Sequence, residues 1–220
     1  MRKILKKIAS PFLQKASKIY LKKRRKYNYR DMSVWVEPSV FPPFITISTK
    51  LLLEFIDQLS LKEKTFLELG CGCGIISILA AKKDAIVTST DINPIALRAL
   101  VENAKENNVT IDIIASDLFE NIEVKSFDFI IINPPYYPKN PSSMAENAWF
   151  CGENFEYFES LFRQLPRFLT PSNSTLMILS VDCELEKIKA IALQNKITFR
   201  VVQESKVMGE TNFIFILELL

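Results

Sequence analysis

The 220-residue chain contains no histidine. That removes the usual general base near neutral pH and the commonest metal ligand. Cysteine is scarce too: Cys71, Cys73, Cys151 and Cys183 include no C-x-x-C pair. A structural zinc site therefore lacks its usual ligands and their spacing, and four reduced thiols of a cytosolic protein are the plain reading. No apolar run approaches the ~20 residues of a membrane span, and the N-terminus lacks the unbroken apolar stretch of a secretory signal. The protein is expected to be cytoplasmic. Glycine numbers only five, yet three of the five fall between positions 70 and 74. Acid is missing from one end: residues 1–30 carry twelve Lys or Arg and no Asp or Glu, a charge of +12. The other 16 basic residues face all 25 acidic ones, so the rest of the chain is −9.

A 48% hydrophobic, 24% charged chain of this length suits one globular domain with an appendage. The charge asymmetry divides it into a basic N-terminal arm, residues 1–30, expected to be helical in two pieces, and a domain over residues 31–220. In the arm, Ile4, Leu5, Ile8, Phe12, Leu13, Ile19 and Tyr20 recur at helical spacing. Ser10-Pro11 would end one helix and cap the next. With Tyr20, Tyr27 and Tyr29 interleaved, the arm could contact RNA. It could also lie on an anionic membrane surface, given Ile4, Leu5, Ile8 and Phe12, or dock as a helix on the acidic body with its charges solvated.

Beyond the arm, Trp35–Ile47 reads as a short strand and a loop, and Thr49 precedes a helix over "KLLLEFIDQL". Strand and helix then alternate. Strands are expected at 65–70, 85–91, 111–117, 127–133 and 175–181. Helices are expected at 74–83, 94–108, 155–169 and 184–195. The strands at 197–205 and 212–220 have no helix between them and should pair antiparallel. The fold class is therefore α/β: a Rossmann-like, mostly parallel sheet with an antiparallel C-terminal hairpin and helices on both faces. Residues 134–154 have no clear structure, and such a loop in a compact domain is usually functional or disordered.

"ELGCGCG" puts Glu68, Gly70, Cys71, Gly72 and Gly74 between a strand and a helix. Glycines allow a tight turn and close approach of a ligand to the main chain, and the following helix start favours a carboxylate. The Gly-Lys-Ser/Thr of a phosphate-binding loop is absent. The dinucleotide spacing G-x-G-x-x-G fails as well, because its third glycine would fall on Ile75 or Ser77. Asp91 and Asp117 end the next two strands, where carboxylates face the crevice of an open α/β sheet. Taken singly, Asp91 could cap the helix of "INPIAL" and Asp117 could cap a turn with Leu118.

The pattern E-x-G-x-G-x-G resembles the first motif of the class I methyltransferases, which bind S-adenosyl-L-methionine and release S-adenosyl-L-homocysteine. The resemblance implies that Glu68, Gly70, Cys71, Gly72 and Gly74 form the donor loop. It implies that Asp91, with Ile92 beside it, holds the ribose, and that Asp117 and the Leu118 N–H meet the adenine.

"INPPYY" stops an apolar strand at Asn133. The two prolines explain the stop, since they lack an N–H and force extended geometry on the residue before them. "NPPY" also resembles the fourth motif of the amino-methyltransferases, which act on planar nitrogens such as glutamine amides and exocyclic base amines. The likeness implies catalytic roles for Asn133, Pro134 and Tyr136, with Asn133 also beside the donor. The Asn133 side-chain carbonyl and the Pro134 main-chain carbonyl would accept from the target N–H groups, and the Tyr136 ring would stack on the planar group. "EPSVFPPFITISTKLLLEF" is similar to the segment that opens the small-domain and glutamine methyltransferases, which places Thr49 near the donor. "ENAWFCGENFEYF" resembles the stretch after NPPY in the release-factor glutamine methyltransferase group, although Gly152 alone remains of its glycines. The bacterial members carry a helical domain ahead of the catalytic one, and here only the basic arm stands there. The expected acceptor is a protein glutamine, or alternatively an RNA or DNA base amine. A non-catalytic cofactor-binding or RNA-interaction protein is the reading from another class.

Overall fold

The structure is a computed structural model that describes residues 22–207 and 209–220. The helical reading of Ile4 to Tyr20 lies outside those residues. The chain enters on an antiparallel hairpin of β1 (Arg25–Tyr29) and β2 (Met32–Val36). This corrects the expectation of helix through residue 30. Arg30 takes a left-handed φ of 54° at the turn, and burial alternates along both strands, a period of two that a helix cannot present to one face. The hairpin straddles the boundary expected at 30/31.

A seven-stranded sheet follows, in the order β5-β4-β3-β6-β7-β9-β8. Its strands are β3 (Thr65–Leu69), β4 (Ile86–Asp91), β5 (Asp112–Ala115), β6 (Phe129–Ile132), β7 (Ser174–Ser180), β8 (Ile197–Val207) and β9 (Glu210–Leu219). The first five are parallel, β9 runs antiparallel to β7, and β8 pairs antiparallel with β9. The helices are α1 (Ile47–Asp57), α2 (Ile75–Lys82), α3 (Pro94–Glu106), α4 (Glu156–Gln164) and α5 (Leu185–Gln194).

The apolar runs of β3, β6 and β7 are buried on both faces, as a covered parallel sheet requires. Phe66, Ile131 and Leu176 pack with α1, α2, α3 and β2 on one face. Leu67, Ile130, Ile132 and Met177 pack with Phe158 and Phe162 of α4 and Ile188 of α5 on the other. The result is a three-layer α/β sandwich.

Several boundaries differ from expectation. α1 begins at Ile47, so Thr49 sits inside its first turn rather than before it. α4 gives way at Leu165–Arg167 to a 3-10 turn, because Pro166 has no N–H to continue the α ladder. β5 stops at Ala115, where Ser116 turns back and its hydroxyl donates to the Leu118 carbonyl at 2.9 Å. The 134–154 segment is closed at its neck: Tyr137 N donates to Trp149 O at 3.1 Å and Cys151 N to Tyr137 O at 3.0 Å.

Candidate active site

Strand register builds the site. Leu69 is level with Thr90 on one side and Ile132 on the other. The next residues, Gly70, Asp91 and Asn133, therefore stand in one row across three neighbouring strands, about 5 Å from strand to strand. The strand order reverses between β3 and β6, the switch point where open α/β sheets bind ligands. A cleft of about 500 Å³ opens there.

Gly70, Gly72 and Gly74 all take positive φ, 72°, 53° and 77°, which only glycine adopts readily. Gly70 and Cys71 donate to the Thr90 carbonyl, each at 2.9 Å, which pins the loop to β4. A Cβ on Gly70 would meet nothing within 4 Å, so the main chain there borders open space that a ligand can fill. Gly74 alone among the expected residues does not line the cleft. It caps α2, and a Cβ there would lie 2.1 Å from Leu100 Cδ1 of α3. Its role is packing.

Asp91 Oδ2 accepts from Gly72 N and Oδ1 from Asn93 N, both at 2.8 Å. Burial raises the Asp91 pKa, opposed by those N–H bonds. The cap of α3 is not Asp91 but Asn93, whose Oδ1 accepts from Ile95 N at 2.9 Å. Asp117 and Leu118 form the next wall. Leu118 sits at a φ of 50°, a left-handed conformation uncommon for a bulky residue, held by the Ser116 bond. Ile92 lines the cleft as an exposed apolar side chain, and Thr49 lines it although buried.

Glu68 is buried, and its Oε2 accepts from Ser77 N at 2.9 Å and from the Ser77 hydroxyl. Burial pushes its pKa up to about 8 against the pull of Ser77. The folded protein thus holds a proton that the unfolded chain releases. The associated stability is whole below pH 4.5 and is lost as pH rises through about 8. Denaturant titrations of the wild type should show that decline, on the order of a few kcal/mol. Glu68→Gln, neutral throughout, should flatten it, and an unchanged pH slope would remove Glu68 as its source. The thiols of Cys71 and Cys73 are likewise raised by burial, Cys73 to about 12. Neither is a thiolate near neutral pH.

Asn133, Pro134 and Tyr136 line the same cleft. Among the described residues, neither the Asn133 amide nor the Asp117 carboxylate bonds to another side chain or backbone group. The Tyr136 and Tyr137 rings lie 4.8 Å apart at 55°, and burial raises both phenols. Sequence reasoning missed the far walls. Phe41, in the loop before α1, meets Trp149 at 5.0 Å, so two distant loops touch over the cleft. Tyr157 of α4 also lines it. Its phenol is raised first by burial and then by Asp117 and Asp91. The aromatic content of "NAWF" and "FEYF" was the available signal.

Fold and cleft together define a class I S-adenosyl-L-methionine-dependent methyltransferase. The open space over Gly70, the carboxylates of Asp91 and Asp117 and the α2 N-terminus fit that donor's methionine, ribose and adenine parts. The chain belongs to the methyltransferase small domain family, whose model matches residues 31–151. It is 40% identical over 140 residues to a Methanocaldococcus jannaschii protein with the provisional name protein N5-glutamine methyltransferase, covering 61% of this chain and 68% of that one. It is 39% identical over 111 residues to ribosomal RNA small subunit methyltransferase C of Haemophilus influenzae, covering 49% of this chain but 33% of that protein. In fold it is similar to the E. cuniculi Mtq2-Trm112 complex, which methylates the eRF1 translation termination factor (TM-score 0.62, 21% identity, 83% of this chain and 99% of that one). It is also similar to the T. thermophilus 16S rRNA N2 G1207 methyltransferase with AdoMet and guanosine (TM-score 0.63, 17% identity, 88% and 50%).

Proposed function

We propose that the enzyme methylates a planar nitrogen, and that the acceptor is a protein glutamine side-chain amide. The observation that carries this reading is the row at the switch point, with an unbonded Asn133 amide one strand from Gly70. An amide nitrogen is a poor nucleophile because its lone pair is delocalised. The Asn133 and Pro134 carbonyls would accept its two N–H groups, turn the lone pair toward the donor and stabilise the positive charge that grows on nitrogen. Tyr136 would cover the planar face. The bound donor supplies an electrophilic methyl group. No strong base is needed before attack, because the proton can leave once the N–C bond exists.

The acidic side chains lining the cleft are Glu68, which keeps its proton near neutral pH, and Asp91, Asp117 and Glu156, with no Lys or Arg among the described lining. Phosphates flanking a nucleic-acid base would find no partner there, which favours a protein acceptor. The name of the M. jannaschii relative and the protein substrate of the Mtq2-Trm112 complex point the same way. A base amine of RNA or DNA is the second reading, favoured by the run Lys22–Lys26 at the hairpin. Arg24, however, is engaged by Glu37 at 2.8 Å and Glu102 at 2.5 Å.

Tritiated-methyl transfer into cell extract separates these readings. Label should survive ribonuclease and disappear with protease. Label lost to nuclease would move the assignment to nucleic acid. No label under any condition would favour a binding protein without turnover.

A further inference from the structure

The segment from β2 to the start of α1 runs across the glycine loop like a strap. Val40 Cγ1 and Phe41 Cβ lie 3.7 and 3.8 Å from where a Cβ on Gly72 would sit. Its attachment is unusual in chemistry. Among the described residues, the outer edge of β2 does not pair with a further strand. It pairs with asparagine side chains of α3 and its C-cap.

Asn103 Oδ1 accepts from Trp35 N at 2.8 Å, and its Nδ2 donates to Trp35 O at 2.9 Å. One turn on, Asn107 repeats the arrangement with Ser33, at 3.1 and 2.7 Å. Ser33 and Trp35 are two residues apart in a strand, and Asn103 and Asn107 are four apart on a helix, so both pairs share one face. Two amides thus replace a neighbouring strand.

Asn103 does one thing that Asn107 does not. Its Nδ2 also donates to the Cys73 carbonyl at 3.0 Å, inside the glycine loop. Asn103 and Cys73 are both buried and their bond lies in the interior, so the Cys73 carbonyl cannot turn to water if the amide is lost. The same helix bears on the loop through Leu100 under Gly74, and Asn93 Nδ2 holds the Ser39 carbonyl of the strap at 2.9 Å.

We propose that Asn103 is a positioning residue that sets donor affinity by locking the strap and the glycine loop into one arrangement through a single buried amide. The proposal rests on the glycine loop being the donor site. It implies reciprocity: donor binding should order the strap, and loosening the latch should weaken donor binding by the same factor.

The test uses the full chain and S-adenosyl-L-homocysteine as the calorimetric probe. Asn103→Leu, with Asn103→Asp as the second variant should the first fail to fold, should weaken binding roughly tenfold. KM for the donor should rise with kcat at saturation little changed. Asn107→Leu should loosen the hairpin equally, seen as faster amide exchange over residues 32–36, while affinity stays within about threefold. In the wild type, probe binding should slow exchange at the Trp35 amide, and Asn103→Leu should abolish that protection. Equal loss of affinity in the two leucine variants would overturn the proposal, since the asparagines would then act only through hairpin stability. Trp35 exchange indifferent to the probe would overturn it too. Asp91→Ala is the control for the premise: if it leaves affinity intact, the glycine loop is not the donor site.

Discussion

Replacing Asn133 with alanine should lower turnover by at least ~100-fold, or ~2.7 kcal/mol, the scale of removing one preorganised polar group from a reaction centre. Its calorimetric affinity for S-adenosyl-L-homocysteine should remain within about threefold of the wild type. Asn133 stands one strand from Gly70 and bonds to no described residue, so its carbonyl is available to the acceptor. In the proposed reaction its contribution would grow as positive charge grows on nitrogen, so the loss should fall on kcat more than on binding. Asn133→Asp keeps an acceptor at the same place but loses the NH₂, and should retain more activity than the alanine variant. Full activity in Asn133→Ala would refute the role.

Replacing Gly74 with alanine should destabilise the domain by about 2–5 kcal/mol. Gly74 has a φ of 77°, and the added Cβ would lie 2.1 Å from Leu100 Cδ1 and 3.1 Å from Cγ. Left-handed backbone costs an L-residue about 1–2 kcal/mol, and overpacking a tight core typically costs about 1–3 kcal/mol more. Leu100 is fully buried and cannot swing aside into solvent. A double-mutant cycle separates the two effects. Leu100→Ala alone should cost about 2–5 kcal/mol as a cavity. Added to Gly74→Ala, it should cost markedly less than it does alone, because the new methyl occupies part of the space it vacates. Strict additivity in urea melts would mean that the two residues are not in contact.

The parallel strands were legible because each is a short apolar run bounded by turn residues, and the ligand-facing edge was legible because glycine or acid closes three of them. Ser116 and Pro166 trimmed the ends by local hydrogen bonding and by a missing N–H, effects that apolar periodicity does not register. The hairpin at 25–36 was hidden under its own charge: Arg25, Lys26 and Arg30 read as a solvated helix, while Tyr27 and Tyr29 alternate toward the core. The Phe41–Trp149 contact and the Asn103 latch join positions 108 and 68 residues apart. No local pattern encodes such pairs. In the sequence, Asn103 is one polar residue among several on an amphipathic helix.

The position of β9 has a consequence for how the protein fails. β9 lies between β7 and β8, although β8 precedes it along the chain, and among the described residues β8 reaches the sheet only through β9. β8 is therefore a passenger on its successor. If β9 slips, two strands leave together, and "TLMIL" of β7, buried throughout, becomes a raw apolar edge of the kind that recruits other chains. This hairpin stands at the sheet edge beyond β7, away from the glycine loop, so damage to it should become a problem of solubility before it becomes one of catalysis.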